Sequence, residues 1–179
     1  IELNNNVIFN TNENICKLSN LYTDTHTLDN MGFNVSVGKV VWNQVKEELT
    51  DDNRNTLLIY SGDIKNNRLE PCNYKDKTKK NYIIRDGLNG PILVVNRGYG
   101  KGKYIFNYCL IDIDKPYLIE NHLICISPKI NMNKKELLKE YNKIIDSFNN
   151  PKTKGFIDIY CTNDAMNTTE LQYILPIYT

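Results

Sequence analysis

Three apolar runs in the middle of the chain most constrain its fold. They read GPILVVNRGYG, KYIFNYCLIDI and YLIENHLICISP and cover residues 90–100, 103–113 and 117–128. Each run is rich in β-branched or aromatic residues, and turns that contain Gly, Asp or Pro separate them. Consecutive short strands joined by such turns predict an antiparallel sheet.

The hydrophobic period changes after these runs. In NKKELLKEYNKIIDSFNN, residues 133–150, apolar residues recur at intervals of three and four, which predicts an amphipathic helix that ends at Asn150-Pro151. GFIDIYC, residues 155–161, is compatible with a strand or a short helix. In the closing segment, residues 167–178, Thr168 is the predicted N-cap of a last helix. The apolar residues of this segment are predicted to lie in the core; they are Leu171, Ile174 and Leu175.

The first half of the chain carries further strand signals. We predict a short strand at 7–10, a loop or helical turn at 15–22, strands at 33–41 and 55–60, and a loop with a lysine cluster at 61–81. Strands that come first and helices that come late predict the α+β class, with a mainly antiparallel sheet and a few peripheral helices.

Size and composition limit the possible classes of protein. With 179 residues and 41% hydrophobic content, the chain has enough material for one substantial core, so a single domain over 1–179 is expected. The 22 basic and 21 acidic residues give a net charge of +1, so any nucleic-acid binding must depend on local placement of Lys and Arg. No apolar run reaches the roughly 18 residues of a membrane span, and no signal peptide is recognisable, which favours a cytoplasmic protein without a membrane partner.

The five cysteines are scattered, and no pair has CxxC spacing. An odd number of isolated cysteines, several of them within apolar runs, is typical of the reduced thiols of an intracellular protein.

The glycine-rich segment RGYGKG, residues 97–102, is predicted to be a hairpin tip. A phosphate-binding loop would require a helix to follow it, so that its N–H groups converge on the anion, whereas another strand-like run follows here. Arg97, Tyr99, Lys101 and Lys103 would still suit a finger that contacts a nucleic-acid backbone.

No local motif predicts a metal centre or a catalytic site. His122 and Cys125 lie three residues apart, which places them on opposite faces of a strand, so His122 is expected to be a hydrogen-bonded structural residue. Cys109 and Cys125 lie in apolar runs where a thiol stays protonated. The acidic residues of this region are too loosely spread to gather Mg²⁺; they are Asp112, Asp114 and Glu120.

The stretch VSVGKVVWNQVKEEL, residues 35–49, turns at Gly38 and then places Trp42, the single tryptophan, beside Asn43, Gln44 and Lys46. In one interpretation Trp42 belongs to the core and the amides cap a turn. In the other the amides read base edges and the lysine contacts guanine or phosphate. The residues alone leave both interpretations open.

Three stretches, taken in order, resemble a known family. GKVVWNQVKEEL, then the segment from PILVVNRGYGKG to ENHLICI, then the segment from NKIIDSFNN to TTELQYILPIY resemble the C-terminal target-recognition region of adenine-N6 DNA methyltransferases of restriction–modification systems. The resemblance covers about residues 35–178, and it implies a target-recognition-type fold that binds double-stranded DNA inside a bacterial cell or as a virus-encoded intracellular protein.

The resemblance assigns roles to particular residues. It implies that Asn43 and Gln44 read bases and that Lys39 and Lys46 contact the DNA backbone. The hairpin would enter a groove through Arg97, Tyr99 and Lys101, and Asn163, Thr168 and Thr169 would present a helix N-terminus to phosphate. These DNA-binding residues are Lys39, Asn43, Gln44, Lys46, Arg97, Tyr99, Lys101, Asn163 and Thr168.

The sequence also departs from the family. The catalytic [DNS]PP[YF] motif and the S-adenosylmethionine loop of these methyltransferases do not occur here, since Pro is never doubled and no strand-GxG-helix unit is present. The chain is therefore expected to bind no cofactor and to need a methyltransferase domain, in the same or another chain, that binds S-adenosylmethionine. Two alternatives stay open: a free-standing module that docks on a separate methyltransferase or nuclease subunit, and a small enzyme such as a nuclease.

Overall fold

The structure, a computed structural model, describes residues 2–3, 6–98, 104–161 and 165–179. Its mostly antiparallel sheets and few helices confirm the predicted α+β class. The strands are β1 (Glu2–Leu3), β2 (Asn6–Val7), β3 (Phe33–Val37), β4 (Leu49–Thr50), β5 (Thr56–Ile59), β6 (Ile64–Lys65), β7 (Arg68–Leu69), β8 (Tyr82–Ile83), β9 (Ile92–Asn96), β10 (Tyr108–Ile111), β11 (Tyr117–Ile119) and β12 (Leu123–Pro128). The helices are α1 (Asn12–Leu21), α2 (Lys134–Asn149), α3 (Pro151–Tyr160) and α4 (Thr168–Tyr173), and 3₁₀ turns cover Trp42–Gln44, Lys46–Glu48 and Ser61–Asp63.

The chain folds as two compact units. The helical unit comprises residues 1–35, 98–106 and 127–179, and the strand-rich unit comprises residues 36–97 and 107–126. None of the helices in the described ranges is long and apolar enough to cross a membrane.

In the helical unit, the predicted amphipathic helix is confirmed as α2. Asn133 caps it by accepting a hydrogen bond from the Glu136 N–H at 3.0 Å, and its apolar stripe is buried around Tyr141, whose ring lies 5.7 Å from that of Phe33. Residues 155–160 belong to α3, and Cys161 is its C-cap. Pro151 stands at the first helical position of α3, where a missing N–H does no harm. The loop or turn expected at 15–22 is instead the full helix α1.

In the strand-rich unit, β9 lies between β10 and β12 and pairs with both in antiparallel register. The inward residues of these strands form one apolar core, in which Val94 and Leu123 are fully buried. The predicted antiparallel arrangement is therefore correct for β9, β10 and the segment 123–126.

The third predicted run, residues 117–128, is not one strand. β11 pairs in parallel with the buried strand β5, which is the run predicted at 55–60, and belongs to a different sheet from β12. The chain turns between them, where the Leu123 N–H donates to the Glu120 carbonyl at 3.0 Å. His122 lies in this turn, so the prediction that strand alternation separates it from Cys125 rested on a wrong assignment.

The strand predicted at 103–113 is shorter than expected. Asn96 and Asn107 pair through their backbones at 2.9 Å, and the Asn107 N–H donates to the Asn96 side chain at 2.7 Å. The regular ladder begins only after this pair, at Tyr108. The lysine-rich segment 61–81, predicted to be a loop, contains the hairpin β6–β7, whose turn residues Asn66 and Asn67 have φ values of 49° and 61°.

Candidate nucleic-acid interface

Gly38 sets the path of the chain into the Trp42 turn. Its N–H donates to the Leu123 carbonyl at 2.9 Å, and the Val40 N–H donates to the Ile119 carbonyl at 3.2 Å. A Cβ added at Gly38 would lie 2.2 Å from the Glu120 carbonyl oxygen. Only glycine permits this close approach, and the segment that follows is thereby fixed against the end of β11.

Trp42 combines the two interpretations that the sequence left open. Its ring is half-buried and packs against a core cluster that includes Tyr60 and Ile83. The next two residues, Asn43 and Gln44, are exposed, and their side chains make no hydrogen bond within the described part of the chain. Trp42 therefore anchors the turn, and the turn leaves both amides available to a ligand.

Lys79 lies among three aromatic rings. Its Nζ is 4.0 Å from the ring centroid of Tyr74, 4.2 Å from that of Tyr60 and 5.6 Å from that of Trp42. Lys46 approaches the Trp42 ring from its own turn, at 5.5 Å. Aromatic rings attract such ammonium groups through their quadrupole, so these contacts hold the lysine-rich segment against the Trp42 turn.

Buried Asp63 supports the two tyrosines of this cluster. Its carboxylate accepts hydrogen bonds from the Tyr74 hydroxyl at 2.6 Å, the Cys72 N–H at 2.8 Å and the Tyr60 N–H at 2.9 Å. Burial raises the pKa of the Tyr74 hydroxyl, and its hydrogen bond to Asp63 acts in the same direction. The hydroxyl therefore stays protonated as a donor.

Burial lowers the pKa of the Lys79 ammonium, an effect that the nearby Glu120 and Asp63 carboxylates oppose. Asp76 lies on the exposed side of the same segment. Its pKa is lowered mainly by hydrogen bonds from Thr78 and to a smaller extent by the charges of Lys46 and Lys79. The positive charges of both lysines are therefore felt at the same exposed carboxylate.

The structure thus joins two stretches that the sequence analysis treated separately. We refer to their shared surface as the cation–aromatic face, made of Trp42, Asn43, Gln44, Lys46, Tyr74 and Lys79. Sequence reasoning missed Tyr74 and Lys79, since they are distant from Trp42 along the chain. The available signal was a pair of tyrosines, Tyr60 and Tyr74, that lie on either side of Asp63 and precede the lysine cluster.

The remaining predicted residues have varied surroundings. Lys39 is exposed, and its charge moderates the raised pKa of Cys125. The Arg97 guanidinium donates to the Asn121 carbonyl at 3.2 Å, so part of its hydrogen-bonding capacity is used within the strand-rich unit. Tyr99, Lys101 and Asn163, together with Lys103, lie outside the described residues.

Thr168 is not an N-cap, contrary to the prediction. Asn167 caps α4: its side chain accepts from the Glu170 N–H at 2.9 Å, and the Glu170 carboxylate accepts from the Asn167 N–H at 2.8 Å. Asn167 rather than Thr168 is the cap because its amide and the Glu170 carboxylate form the reciprocal hydrogen bonds of a capping box. Thr168 is half-buried, and an acidic side chain occupies the terminus that was predicted to bind phosphate. The predicted core residues Leu171, Ile174 and Leu175 are confirmed as buried.

His122 is hydrogen-bonded, as predicted, and its partner is the buried Glu120. Its Nδ1 lies 2.6 Å from Glu120 Oε1, and its backbone N–H donates to Glu120 Oε2 at 3.0 Å. The five cysteines are free thiols, and burial raises the pKa of Cys109 to about 11 and that of Cys125 to about 12. Within the described ranges, no three His, Cys, Asp or Glu side chains gather in a way that could hold a metal ion.

Comparison with known proteins gives no assignment of family. No protein-family model matches the chain, and no curated protein is significantly similar to it.

Proposed function

We propose that this chain is the DNA target-recognition module of an adenine-N6 DNA methyltransferase, or of a fused restriction–modification enzyme, without the catalytic domain. The observation that carries the proposal is the cation–aromatic face, where exposed amides lie on the same turn as a tryptophan ring that two lysine ammonium groups approach, at 5.5 and 5.6 Å. A side-chain amide complements the N7 acceptor and the N6–H donor that adenine presents in the major groove, and ammonium groups bind phosphate.

The division of labour in this proposal follows from the chemistry. Asn43 and Gln44 read base edges, since both side chains are exposed and make no hydrogen bond to a described residue. Lys46 and Lys79 contact the DNA phosphates and thereby position the module along the duplex. Trp42 fixes the turn that presents the amides. Methyl transfer requires adenine to leave the stack, and this step belongs to the partner domain that binds S-adenosylmethionine.

Fluorescence anisotropy with a random-sequence duplex, titrated at several salt concentrations, tests the proposal. Affinity should fall as salt rises, because lysines that bind phosphates release counterions, and unlabelled duplex should compete better than heparin. A selection from random duplexes should then return a preferred site. Absence of binding at low salt, in the presence of a family catalytic domain as well as alone, would contradict the proposal.

An alternative is a free-standing module that docks on a separate methyltransferase or nuclease subunit. The observation that favours it is the exposure of large apolar side chains: Phe9 is 88% exposed in the helical unit, and Ile84 is 61% exposed in the strand-rich unit. Co-purification with a separately expressed catalytic subunit, abolished by Phe9→Ser or Ile84→Ser, would support this alternative.

A further inference from the structure

One side of helix α2 carries a groove with a basic rim. The groove has a volume of about 570 Å³ and is lined by Lys134, Lys135, Leu138, Lys139 and Asn142. Residues 134, 138 and 142 form one row at four-residue spacing, and residues 135 and 139 form a second row beside it, so all five lie on one side of the helix. Because the described lining belongs entirely to α2, the groove runs along the surface of this helix.

The lysines of this groove favour an anionic partner. Lys135 and Lys139 are exposed and form no ion pair with a described residue. Lys143, on the same helix, is by contrast paired with Glu140 at 2.7 Å. The described lining of the groove contains no acidic side chain. Positive charge without a carboxylate in direct contact is complementary to negative charge on a partner.

Apolar side chains accompany these lysines. Leu138 lines the groove, and Ile145 follows seven residues later on the same side of α2. Both are only half-buried, whereas Leu137 and Ile144, one residue earlier in each case, are buried in the core. Two apolar residues seven apart are the spacing at which one helix packs along another. The groove therefore combines a short apolar row with a basic rim.

A protein helix matches both features better than other anionic partners do. The phosphates of a nucleic acid would pair with the lysines but leave the apolar row uncovered. An anionic membrane surface demands a larger apolar area than two half-buried side chains, since the strength of binding scales with the apolar area buried. An amphipathic helix with carboxylates beside its apolar stripe would cover Leu138 and Ile145 and also pair with the lysines.

We propose that this side of α2 docks an acidic amphipathic helix of a partner protein. Carboxylates of the partner pair with Lys135 and Lys139, and two apolar side chains of the partner pack on Leu138 and Ile145. The inference goes beyond the proposed DNA recognition and does not rest on it, because α2 belongs to the helical unit and the cation–aromatic face belongs to the strand-rich unit.

Fluorescence anisotropy with labelled synthetic peptides tests the groove. The probe is a peptide of about 18 residues, long enough to form a helix, with Leu at two positions seven residues apart and Glu beside them. We expect it to bind, with an affinity that falls as salt rises. A peptide with Lys in place of Glu should not bind. A peptide with Ser in place of Leu should bind about tenfold more weakly, the scale of one apolar contact.

Variants of α2 locate the binding site. Lys135→Ala should weaken binding of the Glu peptide by up to about fivefold, the scale of one exposed ion pair. Lys143→Ala is the matched control, since this lysine is already paired with Glu140 and does not line the groove. The double variant Lys135→Glu/Lys139→Glu should lose the Glu peptide and bind the Lys peptide instead. This exchange of partners requires a folded α2, so it separates recognition from unfolding.

Four results would overturn the proposal. Two are absence of binding of the Glu peptide at low salt and equal losses in Lys135→Ala and Lys143→Ala. The third is a loss of duplex DNA binding in the double variant while the Glu peptide still binds, which would assign these lysines to nucleic acid. The fourth is a dimer, seen by sedimentation velocity and abolished in the double variant, which would assign the groove to a second copy of the chain.

The groove and the DNA-recognition function fail separately. Failure of the wild-type chain to bind duplex DNA, while it still binds the Glu peptide, would reject the DNA-recognition function and keep the groove. Binding of duplex DNA without binding of the Glu peptide would do the reverse.

Discussion

The Trp42 turn and the first turn of α4 are both rich in amides and charged side chains, and the fold uses them differently. At α4 the Asn167 side chain and the Glu170 carboxylate satisfy each other's backbone N–H groups. At the Trp42 turn, the side chains of Asn43 and Gln44 are exposed and make no hydrogen bond to a described residue. A polar sequence is therefore a ligand site only where the fold leaves its groups available.

The largest expected effect concerns the support of the cation–aromatic face. Asp63→Ala should lower the free energy of unfolding by about 3 kcal/mol, because two backbone N–H groups and the Tyr74 hydroxyl lose a buried acceptor. Urea denaturation measures this change. Asp76→Ala is the control on the same segment and should leave the midpoint nearly unchanged, since Asp76 is exposed. Equal losses in the two variants would show that Asp63 does not organise the face.

The next effect concerns an available amide. Asn43→Ala should relax the preference at one base pair of the selected site by about 2 kcal/mol, the scale of one bidentate contact. Binding to duplexes that already differ at this base pair should change little. Competition with a set of singly substituted duplexes measures the preference. Equal weakening on every sequence would remove the base-reading role of Asn43.

A smaller effect on stability is expected at the N-terminus of α4, which Asn167 caps. Asn167→Ala should lower the free energy of unfolding by about 1 kcal/mol, since it removes a helix cap, and should leave the affinity for duplex DNA unchanged. Thr168→Ala should change neither quantity. A clear loss of DNA affinity in Thr168→Ala, measured by anisotropy, would restore the phosphate-binding role predicted from the sequence.

The smallest effect is the pH dependence that Lys79 contributes. Its pKa is lowered in the folded state, so the unfolded chain binds more protons between the folded pKa and the ordinary value of about 10.5. Stability of the wild type relative to Lys79→Met should therefore rise with pH through this window. Thermal unfolding of both proteins at stepped alkaline pH measures the difference. A relative stability that is flat or that falls would show that Lys79 is not desolvated among the three rings.

Local patterns predicted the elements that local forces determine. The three- and four-residue period identified α2, and the apolar run at 55–60 identified β5, because each depends on neighbours in the sequence. The division of 117–128 between two sheets was missed, since it depends on the pairing of β11 with β5, about 60 residues earlier in the chain. The apolar residues of 117–128 look the same whether the segment forms one strand or is divided between two sheets.

The sequence predicted only the part of the candidate site that comes from adjacent residues. The Trp42 turn was identified because its polar residues are adjacent in the sequence. The three rings around Lys79 come from positions 42, 60 and 74, and no local period connects them. Capping at α4 was placed one residue too late, because Thr168 and Asn167 are both good caps and only the reciprocal bond with Glu170 decides between them.

The most direct test compares two lysines that each carry one positive charge. Lys46 lies over the Trp42 ring, whereas Lys17 forms an ion pair with Glu13 on α1 at 2.7 Å. Anisotropy of duplex binding should be measured across salt concentrations for Lys46→Ala and Lys17→Ala. We predict that Lys46→Ala weakens binding and lowers the salt slope by about 0.9, the value for one phosphate contact, while Lys17→Ala changes neither. Equal slopes in the two variants would contradict a DNA-binding role for the cation–aromatic face.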